Sequence, residues 1–317
     1  MTPISVALCT FNGAEFLERQ LASIAAQTLR PAEVIACDDG STDATIPILE
    51  AFAASSPFPL RLIRNPRNLG STANFEQAIR NCQHELVALC DHDDVWRPDK
   101  LETLGRALLQ DRSAGYAFSD AELIDREDRQ LGHRLWDCNV VRPQLMLGFP
   151  REMQGAAVLK CNVATGATMM FRRELVERIL PIPAAWVHDY WIAAVCSLTG
   201  RGGIAVPAPL TSYRLHSKQQ IGVRSSIVAR ISALGQRAPA PSDEVEMFKA
   251  LRQRVALYAD AKGLRQIEEK IQHLKIRSAI RQEHLPTRVV SAFRELMRGG
   301  YLDYSNSWST AFRDVWR

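Results

Sequence analysis

The sequence predicts an α/β fold, a mostly parallel sheet with helices on both faces, followed by a helical C-terminal region. Short apolar runs alternate with segments of helical periodicity through the first half of the chain. That alternation is typical of parallel strands joined by crossover helices. The last third is rich in Lys, Arg, Glu and Leu. With 317 residues, 46% of them hydrophobic, the chain can bury a substantial core.

Four strands and three helices are predicted in alternation in the first 90 residues. The strands are the apolar runs ISVALC, EVIAC, LRLI and ELVALC, at 4–9, 33–37, 60–63 and 85–90. The helical segments between them are 14–27, 43–55 and 71–82. Ligands of such sheets bind beyond the carboxyl ends of the strands. We therefore expect the polar clusters that follow the first, second and fourth strands to converge.

The second half of the chain is less regular. We predict a strand in GYAFSD, a charged turn in DREDRQLG, an irregular stretch over 137–160, and a strand followed by a helix in GATMMFRRELVERIL. HDYWIAAVCSLTG predicts a helix that ends at Gly200, and GIAVP and LTSYRLH predict two strands. The proline-rich segment 237–244 predicts a linker, and 243–284 predicts a helical region that HLP interrupts.

The charge of the chain is small overall but uneven. A net charge of +4 does not indicate a nucleic-acid-binding protein. From Ser226 onward there are 16 Lys and Arg against 10 Asp and Glu. A basic tail of this kind fits an anionic lipid or an anionic substrate, and a solvated helical face is the alternative.

The cysteines and the N-terminal sequence predict the cellular compartment of the protein. The seven cysteines form no C-x-x-C pair, so we expect buried free thiols in a reducing compartment. The N-terminus shows no leader pattern, and no apolar run reaches the ~18 residues that a spanning helix needs. We predict a cytoplasmic protein, with peripheral contact at the inner membrane face left open.

The segment LCDHDDVWRP places Asp91, Asp93 and Asp94 directly behind the fourth strand. Carboxylates this close repel one another, and a divalent cation is a common compensation for an Asp-x-Asp pair. Oxygen ligands completed by substrate phosphates fit Mg²⁺ or Mn²⁺. The alternative is that all three are loop or capping residues, with Asp94 capping the next helix.

Further clusters follow the first two strands. A carboxylate of CDDGSTD can accept the imide N–H of uracil or thymine, or hold a ribose hydroxyl. The alternative is a turn at Gly40 with a helix cap at Ser41 or Thr42. Phe11 in CTFNG can stack on a base or belong to the core. NPRNLGSTANF offers Arg67 and Asn68 to a nucleotide, with a capped loop as the alternative.

Seven motifs in order resemble family 2 glycosyltransferases with the GT-A fold. They are VALCTFNG, ACDDGSTD, NPRNLGSTANF, LCDHDDVWRPDKL, NVATGATMMFRREL, WVHDYWIA and YRLHSKQQIG. The resemblance covers roughly residues 3–222, and the motif variants resemble bacterial rhamnosyltransferase-like members that build surface polysaccharides. Members of this family often have an asparagine pair before the glycine, whereas this sequence has SKQQIG. Lys218 would therefore either face a phosphate or lie on the surface.

The resemblance implies an inverting transfer from a nucleotide-diphospho-sugar to an acceptor hydroxyl, with Asp189 of HDYW as general base. Asp93 would ligate Mg²⁺ or Mn²⁺, with Asp91 at the ribose or at the metal's water shell. His216 would reach the diphosphate or complete the metal shell. The remaining donor-site residues would be Thr10, Phe11, Asn12, Asp38, Asp39 and Asn68, with Asp39 on the base. The acceptor contacts would be Gly166, Tyr190 and Trp191.

The same resemblance sets the domains and the ligands. A GT-A domain over 1–225 would comprise a nucleotide-binding half (1–115) and an acceptor-binding, catalytic half (116–225), followed by a helical region over 226–317. The donor would be linked to dTDP or UDP, with rhamnose as first choice, and the acceptor would be a glycan or lipid-linked. Whether the C-terminal helices pack in a homodimer is left open. The alternatives are a non-catalytic GT-A binding module and a nucleotidyltransferase.

Overall fold

The computed structural model describes residues 2–138, 146, 150–216, 240–305 and 308–316. One nine-stranded mixed sheet organises the part of the chain before residue 217. Helices cover both faces of this sheet, and a group of helices follows residue 240. The α/β architecture and the helical C-terminal region are therefore confirmed.

The first half of the chain forms the parallel part of the sheet. Its elements are β1 (Ile4–Thr10), α1 (Leu17–Ala25), β2 (Glu33–Asp38), α2 (Thr45–Ser55), β3 (Leu60–Arg64), α3 (Ser71–Asn81) and β4 (Leu86–Asp91). The strand order is β3-β2-β1-β4, and every neighbouring pair is parallel. All four predicted strands and all three predicted helices are confirmed. In the register, Thr10 lies opposite Asp38 and Cys9 opposite Asp91, so the acidic strand ends meet at one edge.

The second half adds mostly antiparallel strands. Its elements are β5 (Val95–Trp96), α4 (Lys100–Gln110), β6 (Tyr116–Ile124), β7 (Gln130–Arg134), α5 (Leu135–Cys138), α6 (Arg151–Lys160), β8 (Met169–Arg172), α7 (Val176–Ile179), α8 (His188–Leu198) and β9 (Gly203–Arg214). β8 runs antiparallel to β4 and β6, whereas β9 runs parallel to β6. The sheet therefore continues as β4-β8-β6-β9-β5, with β7 paired to β6.

Several predictions for this half are corrected. The two strands predicted in 203–216 are one, because register shifts opposite Ser119–Ala121 accommodate Pro207 and Pro209. The irregular stretch contains helix at both ends, in α5 and α6. The helix predicted after β8 is a 3-10 turn followed by the single-turn α7. The helix ending at Gly200 is confirmed, with Gly200 at φ 76°.

Two apolar clusters fill the two faces of the sheet. Val6 and Leu8 of β1 point into the cluster that α1, α2 and α4 cover. Ala7 and Cys9 point the other way, into the cluster covered by α3, α6 and α8. Alternate residues of one strand thus enter opposite cores, which explains the continuous apolar runs in the sequence.

Five helices form the described C-terminal region: α9 (Pro241–Val255), α10 (Ala261–Ile280), α11 (Leu285–Met297), α12 (Gly300–Tyr304) and α13 (Trp308–Trp316). The predicted linker is corrected in its second half, because Pro241 begins α9, where a proline fits the first turn. The interruption at HLP is confirmed. No helix of the described residues is long and apolar enough to cross a membrane.

The C-terminal helices do not all fold as a separate unit. α9 and α10 contribute Phe248, Leu251 and Leu274 to the same core as β1 and α8. Trp186, just before α8, stacks edge-on against Phe248 at 5.3 Å and donates its indole N–H to the carbonyl of Met247. The predicted division near residue 225 therefore does not separate two hydrophobic cores. A smaller third core joins the end of α10 to the last three helices.

Candidate active site

Asp38 and Asp39, side by side after β2, have different surroundings. The Asp38 carboxylate accepts four hydrogen bonds: from the hydroxyls of Thr10 (2.8 Å) and Ser41 (2.5 Å), and from the backbone N–H groups of Gly40 (3.1 Å) and Ser41 (2.8 Å). A carboxylate has about four acceptor positions. Asp38 and Thr10 therefore build the turn, and Asp38 has no acceptor position left for a nucleotide.

Asp39 keeps one acceptor position open toward the part of the chain that the structure describes. Its Oδ1 accepts from the Asn65 amide (2.9 Å) and the Leu69 N–H (2.8 Å), and its Oδ2 accepts from the Gly70 N–H (2.9 Å). Asn65 is itself held by Asn74, whose amide donates to the carbonyl of Cys37. Neither asparagine was predicted to be a site residue, although both lie in the NPRNLGSTANF motif.

Asn12 joins the loops after β1 and β2. Its backbone N–H donates to the Ser41 hydroxyl and its side-chain oxygen accepts from the Thr42 N–H, both at 2.8 Å. Asn12 has φ 47°, a left-handed conformation that asparagine tolerates. The next residue back, Phe11, is 37% exposed, so its ring is free to stack. Ser41 and Thr42 serve this junction and are not the predicted helix caps.

Gly40 and Asn68 shape the loop on the other side of Asp39. Gly40 has φ +79°, and a Cβ there would lie 3.2 Å from the backbone carbon of Arg67. Any other residue would be both strained and crowded. The Asn68 side-chain oxygen accepts from the Gly70 N–H at 3.0 Å, which fits the capped-loop alternative and leaves its NH₂ group available to a nucleotide.

Asp91 is the last residue of β4. Among the described residues, no group donates a hydrogen bond to its carboxylate. Burial, the charge of Asp93 and the charge of Asp189 together raise the pKa of Asp91 to about 8. The three carboxylates therefore lie within electrostatic reach of one another, although they come from two distant parts of the sequence. An unsatisfied acidic group at the sheet edge is the feature expected of a site completed by a cation or a ligand.

Asp93 pairs with His216, as the sequence prediction of a shared site requires. The His216 Nε2 lies 2.8 Å from the Asp93 Oδ2. Burial raises the pKa of Asp93, but the hydrogen bond from His216 and the neighbouring charge of His92 lower it below its usual range overall. The segment that follows His216, with Lys218 and the rest of SKQQIG, lies outside the described residues.

Asp94 is a buried structural acid and not the predicted helix cap. Its Oδ1 accepts the backbone N–H of Arg214 at 3.0 Å, and burial followed by the charges of Asp93 and Asp91 raises its pKa. α4 begins six residues later, at Lys100. The Lys100 ammonium is also fully buried and donates to the carbonyl of Ala167 at 2.6 Å. Burial lowers the pKa of Lys100 to about 7.

Asp189 is held by three donors at the start of α8. Its Oδ1 accepts from the Asn162 amide (2.9 Å) and from the Tyr190 N–H (2.6 Å), and its Oδ2 accepts from the Gly166 N–H (2.8 Å). A Cβ on Gly166 would lie 2.8 Å from the His188 ring and 3.5 Å from the Asp189 carboxylate. Only glycine therefore fits at 166. Asn162, which was not predicted to be a site residue, fixes the carboxylate.

The aromatic residues of HDYW belong to the core. Trp191 is fully buried, and its N–H donates to the carbonyl of Ile179. The Tyr190 hydroxyl donates to the carbonyl of Val158. The expectation that Trp191 contacts an acceptor is therefore wrong, and the only polar group of the Tyr190 side chain is already in use.

His188, the residue before Asp189, is buried. Its ring stacks on Phe75 at 3.9 Å, and neither ring nitrogen has a hydrogen-bond partner among the described residues. Burial lowers the pKa of His188, so the imidazole is neutral near pH 7.

The acidic edge fits a divalent cation that is completed by a ligand. Across the described residues, no three His, Cys, Asp or Glu side chains form a ready-made cation site. Mg²⁺ in nucleotide enzymes commonly uses one or two carboxylates and takes its other ligands from phosphates and water. Asp93 and the donor-free carboxylate of Asp91 supply that set, with His216 beside them.

Comparisons with known proteins identify relatives of this chain. Residues 5–180 match the profile described as Glycosyl transferase family 2. An uncharacterized glycosyltransferase of Nostoc sp. is 27% identical over 184 residues, which are 58% of this chain and 55% of that protein. A dTDP-rhamnosyl transferase of Shigella flexneri is 22% identical over 233 residues, covering 72% of this chain and 78% of that protein. The match spans only 55% to 59% of the first curated relatives.

Solved structures share the fold along nearly the whole chain. S. aureus TarS in complex with UDP-GlcNAc superposes with a TM-score of 0.58 at 14% identity, covering 99% of this chain and 89% of that one. The mannosyltransferase PcManGT from Pyrobaculum calidifontis, in complex with GDP-Man and Mn²⁺, gives a TM-score of 0.54 at 20% identity, covering 98% and 78%. At these identities the likeness establishes the fold alone.

Proposed function

Because the chain belongs to glycosyl transferase family 2 and has the GT-A fold, we propose that it transfers a sugar, with inversion, from a nucleotide-diphospho-sugar to an acceptor hydroxyl. One observation carries the proposal. Carboxylates after β2, at the end of β4 and at the start of α8 are in distinct states: Asp39 and Asp189 are each held by three donors, whereas Asp91 has none within the described part of the chain. Asp39 and Asp189 are therefore held in a fixed orientation for contact with a ligand. The carboxylate of Asp91 is suited to bind a cation.

Asp39 is the residue we propose for recognition of the base. Its open acceptor position on Oδ2 matches the imide N–H of uracil or thymine, which offers one donor at the Watson–Crick edge. Phe11, exposed at the end of β1, would stack on the same ring. These contacts favour a UDP- or dTDP-linked donor. The likeness to a dTDP-rhamnosyl transferase makes dTDP-rhamnose our first choice.

Asp93 and Asp91 are the residues we propose for the donor's diphosphate. A divalent cation held there would neutralise the charge that develops on the departing nucleoside diphosphate. His216 keeps Asp93 ionised through the 2.8 Å contact, so the carboxylate is ready to bind. PcManGT, which shares the fold, was solved in complex with GDP-Man and Mn²⁺, and this supports the proposal of a divalent cation in the present site.

Asp189 is the general base in this proposal. As the acceptor oxygen forms its bond to the anomeric carbon, the bond from that carbon to the diphosphate breaks, and the hydroxyl proton passes to the carboxylate. Oδ2 of Asp189 carries one donor where Oδ1 carries two, so the open position for the proton lies on Oδ2. A single displacement inverts the anomeric centre.

A panel of donors tests the proposal. UDP-, dTDP- and GDP-sugars would be incubated with the protein and Mn²⁺, and the released sugar followed by NMR, whose first product signal identifies the anomer. We expect hydrolysis of at least one uridine- or thymidine-linked donor, with the released anomer opposite to that of the donor. Release of the retained anomer, or cleavage between the two phosphates, would contradict the proposal.

Two variants separate catalysis from helix stability in the same assay. Asp189→Asn removes the base, and Asp243→Asn changes an exposed acid that also lies in the first turn of a helix. We expect Asp189→Asn to lower turnover by roughly 10²–10⁴-fold while the donor still binds. Asp243→Asn should retain full turnover.

A further inference from the structure

The last helices expose an apolar surface that their folding does not require. On α11, Val289, Phe293 and Met297 are spaced four residues apart and therefore share one face. On α13, Trp308, Phe312 and Trp316 have the same spacing. These six side chains, the C-terminal apolar face, are between 45% and 72% exposed.

The two helices already bury another apolar side. Ala292 and Leu296 of α11, and Ala311 and Val315 of α13, fill the third core together with Tyr301. The helices lie next to each other, and Arg288 on α11 donates to the carbonyl of Val315 on α13 at 3.1 Å. The outer face is therefore additional to the core. Exposed apolar side chains of this size, several of them aromatic, mark a binding surface.

Two acids of these helices, Glu295 and Asp314, are buried. Glu295 is buried against His273, with its Oε1 2.7 Å from the ring Nδ1. Asp314 is buried and accepts from Arg277 and Arg281. Arg294 and Arg298 are exposed on α11, and Asp303 on α12 is an exposed acid close by in the sequence. The outward surface of α11 is thus both apolar and basic.

We propose that the C-terminal apolar face docks on an anionic lipid bilayer. Tryptophan and phenylalanine at the membrane interface, with arginines beside them, are typical of helices that lie in the plane of a bilayer. Each arginine near an anionic leaflet adds an attraction that salt weakens. A second copy of the chain fits less well, because an isologous contact would bring the same arginines to both sides. This inference does not depend on the sugar-transfer activity.

Vesicle flotation tests the proposal on the full chain. The probes are phosphatidylcholine vesicles with and without about one third phosphatidylglycerol. We expect the protein to float with the anionic vesicles, to bind pure phosphatidylcholine weakly, and to lose most of its binding in high salt. Failure to float with anionic vesicles at low salt would overturn the proposal.

Two sets of substitutions separate the apolar and the basic contributions. Phe312→Ser/Trp316→Ser should weaken binding by roughly tenfold or more, because the buried apolar area sets the strength of insertion. Arg294→Gln/Arg298→Gln should weaken it about fivefold for each arginine. Leu257→Ser is the matched control, since Leu257 is 86% exposed outside this face. Binding of Phe312→Ser/Trp316→Ser at the level of the control would overturn the proposal.

Insertion has its own spectroscopic readout. Lipids brominated along the acyl chain quench tryptophans that enter the bilayer, and we expect Trp308→Phe/Trp316→Phe to abolish the quenching of this six-tryptophan chain. Size-exclusion chromatography with light scattering tests the alternative that a second copy of the chain covers this face. A dimer that dissociates in Phe312→Ser/Trp316→Ser, without any vesicle binding by the wild type, would assign the face to a second copy and overturn the bilayer proposal. Circular dichroism and the melting temperature check that each variant is folded.

Discussion

Asn162 donates a hydrogen bond from its Nδ2 to the Oδ1 of Asp189 at 2.9 Å, across 27 residues of sequence. Together with the N–H groups of Gly166 and Tyr190, this contact fixes the carboxylate at the start of α8. The same Asn162 accepts the N–H of Ala164 through its side-chain oxygen, so the amide orientation is set from both ends. Asn162 is thus a positioning residue for the proposed base.

Asn162→Ala should lower the turnover number by roughly ten- to hundredfold with little change in donor affinity, because the base loses its orientation but keeps its charge. Steady-state kinetics together with a direct measurement of donor binding check this. Asn68→Ala, in the loop beside Asp39, is the control, and we expect it to change donor affinity in preference to turnover. An Asn162→Ala enzyme with normal turnover would show that the hydrogen bond has no function in catalysis.

Asp39→Asn should remove the preference for uridine or thymidine. The substitution places an NH₂ group or a neutral oxygen where the imide N–H would donate to a carboxylate, and a hydrogen bond to a charged group is worth about 1.5–3 kcal/mol. We expect affinity for UDP or dTDP to fall by roughly ten- to hundredfold and affinity for GDP to change little. Calorimetric titration with the three nucleotides measures both. Equal losses for all three would mean that Asp39 only supports the loop.

The affinity for a nucleotide with Mg²⁺ should rise with pH between 7 and about 8. The pKa of Asp91 is raised to about 8, so below that pH the carboxyl group holds a proton that a cation must displace. The affinity gain is at most tenfold per pH unit and should level off above the pKa. Titrations at several pH values measure it, with Asp91→Asn as control. A pH-independent affinity in the wild type would show that Asp91 is already ionised or does not meet the cation.

Phe248→Ala should destabilise the whole protein and not only its tail. Phe248 is buried against Trp186 in the core that β1 and α8 share, and removing such a ring costs about 3–5 kcal/mol. We expect chemical denaturation to show one transition at a lower midpoint. Phe312→Ala, at a 65% exposed position, should leave the midpoint unchanged. Two transitions, in which residues 226–317 unfold first and residues 1–225 then unfold at the wild-type midpoint, would instead establish the predicted division near residue 225.

The parallel strands and their acidic ends could be predicted because the signals are local. ISVALC and ELVALC are continuous apolar runs, and Asp39 and Asp91 follow strands whose ends must meet. Trp191 could not be placed from sequence, because an aromatic residue beside a proposed base has the same local pattern whether it points to a ligand or into the core. Asn65, Asn74 and Asn162 were missed because their function is to hold another residue that is far away in sequence.

The most direct test of the proposed donor site is a calorimetric titration of UDP or dTDP with Mn²⁺, comparing wild type, Asp93→Ala and Asp243→Ala. If Asp93 holds the cation that meets the diphosphate, Mn²⁺ should strengthen nucleotide binding in the wild type and in Asp243→Ala, and should have no effect in Asp93→Ala. Equal strengthening by Mn²⁺ in all three proteins would contradict the claim that the acidic edge after β4 is the donor site.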